Sequence, residues 1–143
     1  RIRTGAFRKT ERAPKLPLPI GVSNYCLASS EYYYIDKTMM IKDFIDERPM
    51  VTLFTRPRRF GKSLLISTLA CYYDRTKADR FEELFGRTWI GEHPTEEHNR
   101  YMVVRYDFSK MVMADDMEGL ERNFNDLNCS AVEIMVTHNR DLF

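Results

Sequence analysis

Residues 50 to 73, MVTLFTRPRRFGKSLLISTLACYY, constrain this chain more than any other stretch. Met50, Val51, Leu53 and Phe54 form a short apolar run of the kind that makes a buried strand. The run from Ser63 through Leu64, Leu65, Ile66, Leu69, Ala70, Tyr72 and Tyr73 is too long and too rich in good helix formers to be another strand. Between them lies a polar turn that ends in Gly61-Lys62-Ser63. A strand, a loop and a Gly-Lys-Ser that opens a helix is the order that cradles phosphate in nucleoside triphosphatases.

The residue types suit that chemistry. A helix start exposes N–H groups without internal partners and carries roughly half a positive charge, so an anion settles there. Gly61 lets the backbone approach a phosphate without a Cβ in the way. Lys62 is expected to reach the β- and γ-phosphates, and the Ser63 hydroxyl to complete the shell of a Mg²⁺ ion. The match to G-x-x-x-x-G-K-[ST] is incomplete, because Arg56 stands where the first glycine belongs. Pro57 pushes Arg56 toward an extended conformation and removes one loop N–H. Arg58 and Arg59 offset that loss with bidentate phosphate contacts. Two other readings of the same residues stay open. One is a turn with solvated arginines; the other is a basic patch at Arg56-Pro57-Arg58-Arg59 that meets nucleic acid.

RPRRFGKS, preceded by the apolar run and by YYYIDKT at residues 32 to 38, resembles the AAA-ATPase-like family of P-loop proteins. LPLPIGVSNY at residues 16 to 25 is similar to that family's lead-in segment. The resemblance runs from about Leu16 to about Lys110. It implies ATP with Mg²⁺ as ligand, and a binding loop made of Arg56, Pro57, Arg58, Arg59, Phe60, Gly61, Lys62 and Ser63. It also implies that the missing first glycine is a family trait. Many members carry a nuclease-like domain after the ATPase core, and nothing in these residues corresponds to one.

The fold expected is α/β: a P-loop-like parallel sheet holding residues 50 to 55 and 101 to 107, with flanking helices and an incomplete core. Tyr101 to Tyr106 is the second good strand, and it ends in Asp107. A hydrophobic strand ending in Asp is the Walker B pattern, so Asp107 is a candidate metal partner. Arg105 interrupts the run and no Glu follows to activate a water, so ATP hydrolysis is less secure than ATP binding. The other role open to Asp107 is to cap the next turn with Ser109. Two or three strands would leave apolar sheet edges, so a homo-oligomer or a further C-terminal segment is expected to cover them.

Charge separates the chain into two expected parts. Net charge is +1, yet residues 1 to 15 hold six basic residues against Glu11, while the rest holds 16 basic and 20 acidic. Residues 1 to 19, with Pro14, Pro17 and Pro19, read as a basic flexible arm, and residues 20 to 143 as the N-terminal portion of the nucleotide-binding domain. No apolar run approaches the ~20 residues a membrane helix requires. Cys26, Cys71 and Cys129 are odd in number and widely spaced, fitting neither a disulfide framework nor a zinc site. An intracellular location, the cytoplasm, is the default that follows.

The remaining stretches are secondary. Tyr32 to Ile35 reads as a short aromatic strand, whose tyrosines either stack on an adenine or pack in the core. Helices are expected from Asp36 to Ile45, Ala78 to Phe85 and Asp115 to Val136, and loop or a weak helical turn over Gly21 to Ser30. His93 and His98 lie in EHPTEEH at a spacing that matches no helical ligand pair, so that stretch reads as a charged loop.

Overall fold

A computed structural model describes residues 16–143. The basic arm of residues 1 to 15 lies outside them. Six α-helices follow in order: α1 (Tyr25–Glu31), α2 (Met39–Glu47), α3 (Lys62–Tyr73), α4 (Phe81–Phe85), α5 (Trp89–Glu92) and α6 (Met117–His138). Short 3₁₀ turns at Arg75–Arg80, Phe108–Lys110 and Arg140–Leu142 link or end them.

The parallel sheet is not there. Among the described residues no strand forms, and the one bridge of strand type pairs Asp74 with Tyr101. This corrects the α/β expectation. A strand is stabilised by hydrogen bonds to a neighbour, not by its own residues, so an apolar run becomes one only if a partner lies alongside. Here the chain after residue 98 bonds to the end of α3 instead. The Asn99 N–H donates to Tyr72 O at 2.8 Å, and the Tyr101 N–H to Tyr73 O at 2.9 Å. Residues 50 to 55 are left extended and open, with Met50, Val51 and Leu53 all more than 80% exposed. Phe54 alone of that run finds a ring, meeting Phe44 of α2 edge-on at 5.6 Å. Tyr32 to Ile35 is also extended without a partner strand.

The core is helical and aromatic. Tyr25 of α1 stacks on Phe85 of α4 at 4.9 Å and meets Tyr34 edge-on at 5.3 Å. Tyr72 of α3 meets Phe85 edge-on at 5.6 Å, and both are fully buried. Ile41, Leu84 and Ile90 close the cluster. The polar atoms of Tyr25 and Tyr72 inside this cluster are paired, as a dry core demands, whereas Arg75 Nη1, Asn99 Oδ1 and Asn139 Oδ1 are buried without a partner among the described residues. The Tyr25 hydroxyl donates to Leu84 O at 2.8 Å, and the Tyr25 N–H to Ser67 Oγ at 3.0 Å. The Tyr72 hydroxyl accepts from the Thr95 N–H at 3.0 Å.

Local chemistry explains most element ends. Asn24 caps α1 by accepting from the Leu27 N–H, and Tyr25 and Ala28 give that helix a buried side at helical spacing. Of the loop or weak helical turn expected over Gly21 to Ser30, the helical alternative is the one that forms, as a seven-residue helix from Tyr25. Arg48 closes α2 in the left-handed region, φ 46°. Asp36 does not cap α2; its carboxylate accepts from the Thr38 N–H at 2.8 Å and from the Trp89 N–H at 2.7 Å, which ties α2 to α5. A Cβ on Gly91 would meet Phe85 O at 1.8 Å, so α5 rests on α4 only because residue 91 has no side chain. Asp116 caps α6 through the Gly119 N–H at 2.8 Å. None of the 22 residues of α6 is buried.

Candidate phosphate loop and the two cavities beside it

The loop of residues 56 to 61 turns sharply into α3. Arg59 (φ 67°) and Gly61 (φ 76°) both sit in the left-handed region, which is strained for arginine and easy for glycine. A Cβ at Gly61 would meet nothing within 4 Å, so it is the backbone angle, not crowding, that favours glycine there. Gly61 is also the N-cap of α3, and no side chain bonds the first amides of this helix. Those N–H groups are thus open to an external acceptor.

Lys62 folds back over its own loop. Its Nζ donates to the carbonyls of Arg56 and, at 2.9 Å, of Pro57. Arg56, Arg58, Arg59 and Phe60 are exposed. Among the described residues none of Arg56, Arg58, Arg59 or Lys62 pairs with a carboxylate; the ion pairs lie elsewhere, as in Lys42–Asp46 and Arg80–Glu83. Four cations therefore gather at an uncapped helix start with no carboxylate partner among the described residues.

Two cavities flank that helix start. The smaller, about 360 Å³, is lined by Tyr33, Ile35, Met40, Phe60, Gly61 and Lys62, with Leu18 and Pro19 at its rim. The Tyr33 N–H donates to Pro17 O at 2.8 Å, which holds the lead-in segment against this wall. The tyrosines divide their work: Tyr34 packs into the core and burial raises its pKa, whereas Tyr33 stays 58% exposed at the cavity. The larger cavity, about 790 Å³, lies against α3 with Ser63, Ser67, Cys71, Asp107 and Asn139 among its lining.

Ser63 and Asp107 thus line the same cavity, while Lys62 lines the other. The Asp107 carboxylate accepts from Ser109 Oγ at 2.5 Å and from the Ser109 N–H at 3.2 Å. The Ser109 hydroxyl holds the Asp107 carboxyl below the usual carboxylate range. So Asp107 does cap the 3₁₀ turn that follows it. In EHPTEEH, His98 packs on Phe81 at 4.6 Å and His93 on Trp89 at 4.6 Å, and the Nδ1 of each ring faces a backbone carbonyl, Thr95 O and Trp89 O respectively. Cys26 and Cys71, 45 residues apart, come within 3.5 Å of one another. Neither that pair nor the Asp36–Trp89 link could be read from spacing. The Tyr33 wall left a trace in the sequence, in the tyrosines ahead of the loop.

An uncapped Gly-Lys-Ser helix start with surplus positive charge is an arrangement that suits an anion. More particularly, the chain matches the family described as Predicted AAA-ATPase over residues 19–142, and it belongs to that family. It is similar to the "Uncharacterized protein in vnfD 5'region" of Azotobacter chroococcum mcd 1. The two are 32% identical over 124 residues, which cover 84% of this chain and 23% of that protein. The chain thus spans about a quarter of the length of this curated relative. No solved structure matches it. Among the described residues no helix is long and apolar enough to cross a membrane.

Proposed function

We propose that residues 56 to 63 bind the phosphates of ATP, within the N-terminal portion, residues 20 to 143, of a larger nucleotide-binding domain. The observation that carries this reading is the group of four cations at an uncapped helix start, none of them paired with a carboxylate among the described residues. Membership of the Predicted AAA-ATPase family supports ATP as the anion. Lys62 is the phosphate clamp: it exchanges its two loop carbonyls for phosphate oxygens. Arg58 and Arg59 add charge from the exposed side. The cavity of about 360 Å³ takes the base, with Tyr33, Met40 and Phe60 as an apolar wall. Its size is at the lower end of ligand pockets, which suits a base better than a whole nucleotide.

A magnesium ion fits on the other side. It prefers oxygen donors in an octahedral shell and keeps several waters. Ser63 Oγ and the ionised Asp107 line one cavity and are the right donor types. Bound there, the ion would neutralise phosphate charge. The residues themselves orient the nucleotide and screen its charge, and ATP hydrolysis is the reaction this arrangement is suited to extend to.

Calorimetric titration of the chain and of Lys62→Ala with ATP and Mg²⁺ tests the reading. Binding near micromolar, about −8 kcal/mol, is expected for the wild type, with a loss of roughly tenfold or more in the variant. Equal binding by both proteins overturns the role of Lys62. Binding of duplex DNA that weakens steeply with salt and ignores ATP would instead favour the nucleic-acid reading of the arginines.

A further inference from the structure

We propose that Cys26 and Cys71 are an oxidisable thiol pair, which a hydroperoxide converts into a disulfide that ties α1 to α3. The two sulfurs lie 3.5 Å apart. They come from neighbouring helices, because α1 packs against α3. A disulfide needs about 2.05 Å between sulfurs, so only about 1.5 Å of side-chain movement is required. Cys26 is the second residue of the short α1, and Cys71 lies in the last turn of α3. Neither helix has to unwind for the thiols to meet.

Access and reactivity divide the roles. Both cysteines line the cavity of about 790 Å³, which is wide enough to admit a small hydroperoxide. Cys26 is half-buried and Cys71 is 8% exposed. Burial pushes the Cys71 thiol up to about 12, so it stays protonated and does not react first. Cys26 gives its proton to solvent and its sulfur attacks the peroxide; the O–O bond breaks, Cys26 becomes a sulfenic acid, and the hydroxide released takes up that proton as one water. Cys71 sulfur then attacks the Cys26 sulfur. The S–O bond breaks, and the departing hydroxide takes the Cys71 proton as a second water. In sum two thiols and one hydrogen peroxide give one disulfide and two waters. Thiol reductants reverse the step.

The nearest reading without chemistry is that two small apolar side chains simply fill the α1–α3 seam. The two differ in what peroxide does to the folded chain. Treat Cys129→Ser with hydrogen peroxide, block free thiols, and map the digest by mass spectrometry without reduction. The proposal expects one species, two hydrogens lighter, in which the Cys26 and Cys71 peptides are joined. Dithiothreitol should separate them, and the link should form several-fold faster in the folded chain than in urea. Cys26→Ser should leave Cys71 unmodified at the same peroxide dose, because the protonated thiol has no oxidised partner to attack. A Cys26 that proceeds to sulfinic acid with Cys71 still free overturns the proposal. So does a link that forms no faster in the folded state, or a chain that peroxide leaves unchanged. The wild-type comparison with urea stands even if a serine variant fails to fold.

Discussion

The open segments at residues 50 to 54 and 102 to 113 are at least as apolar in sequence as the packed helices between Tyr25 and Asn99, yet the two end in opposite environments. Tyr25, Tyr72 and Phe85 are at 0% exposure, while Met50, Val51 and Met113 exceed 70%. Hydrophobicity alone cannot account for that. What separates the two regions is whether each side chain has a partner whose polar groups can also be satisfied. Around Tyr25 every element supplies one: Ser67 takes its N–H, Leu84 its hydroxyl and Phe85 its ring. Around Leu53 no backbone among the described residues lies alongside to complete a ladder. The loop of residues 56 to 61 sits at the junction, its helix anchored in the packed region and its arginines exposed.

That contrast can be broken in several ways. The largest effect is expected at Phe85, whose ring touches Tyr25, Tyr72 and Phe81. Phe85→Ala should cost about 3–5 kcal/mol, read as the shift in a urea unfolding midpoint. A loss below about 1 kcal/mol would mean that the aromatic cluster does not hold the fold.

Alkaline pH should attack the same region next. Burial raises the pKa values of Tyr25 and Tyr34, and pushes Cys71 and Tyr73 up to about 12. Below pH 9.0, the ordinary value for a thiol, these groups are protonated in both states, and their contribution to stability is flat. Above it the unfolded chain loses protons that the folded chain keeps, so stability falls as pH rises toward about 12. The Tm should drop steadily across that window and little between neutrality and pH 9.0. Ionisation of all the tyrosines together near 10.0, with the fold intact, would show that the buried ones are not sequestered.

The smallest effect is expected in the open region. Leu53→Ala removes a side chain already 83% exposed and should change stability by no more than about 0.5 kcal/mol. A cost like that of Phe85→Ala would mean that residues 50 to 54 are covered in solution, and would sharpen the question of what covers them.

Parts of this were legible beforehand. The start of α3 at Gly61-Lys62-Ser63 was readable because a glycine and a following run of helix formers act locally. Much of α6 was readable from Leu120, Phe124, Leu127 and Ala131 at intervals of three or four. Asp107 was readable as a cap because its partner Ser109 is two residues away. The strands at 50 to 55 and 101 to 107 were expected and did not form, since pairing is a property of two segments and only one is visible at a time. Gly21 to Ser30 read as loop or a weak helical turn, and only the Asn24 cap and the burial of Tyr25 and Ala28 decide for the helix.

The sequence by itself determined the loop chemistry: the cations at 56, 58, 59 and 62, the glycine at 61 and the serine at 63, all within one short stretch. Family membership rests on the same linear information. Tertiary structure alone decided which apolar segments are buried and that Asp36 reaches Trp89. It also decided that Ser63 and Asp107 line one cavity and that Cys26 lies against Cys71. The physical reason is range. Capping, backbone angles and charge density act over a few residues, so order along the chain encodes them directly. Burial, cavity walls and thiol contacts depend on which of many distant segments meet, and that follows only from the balance of the whole packed chain.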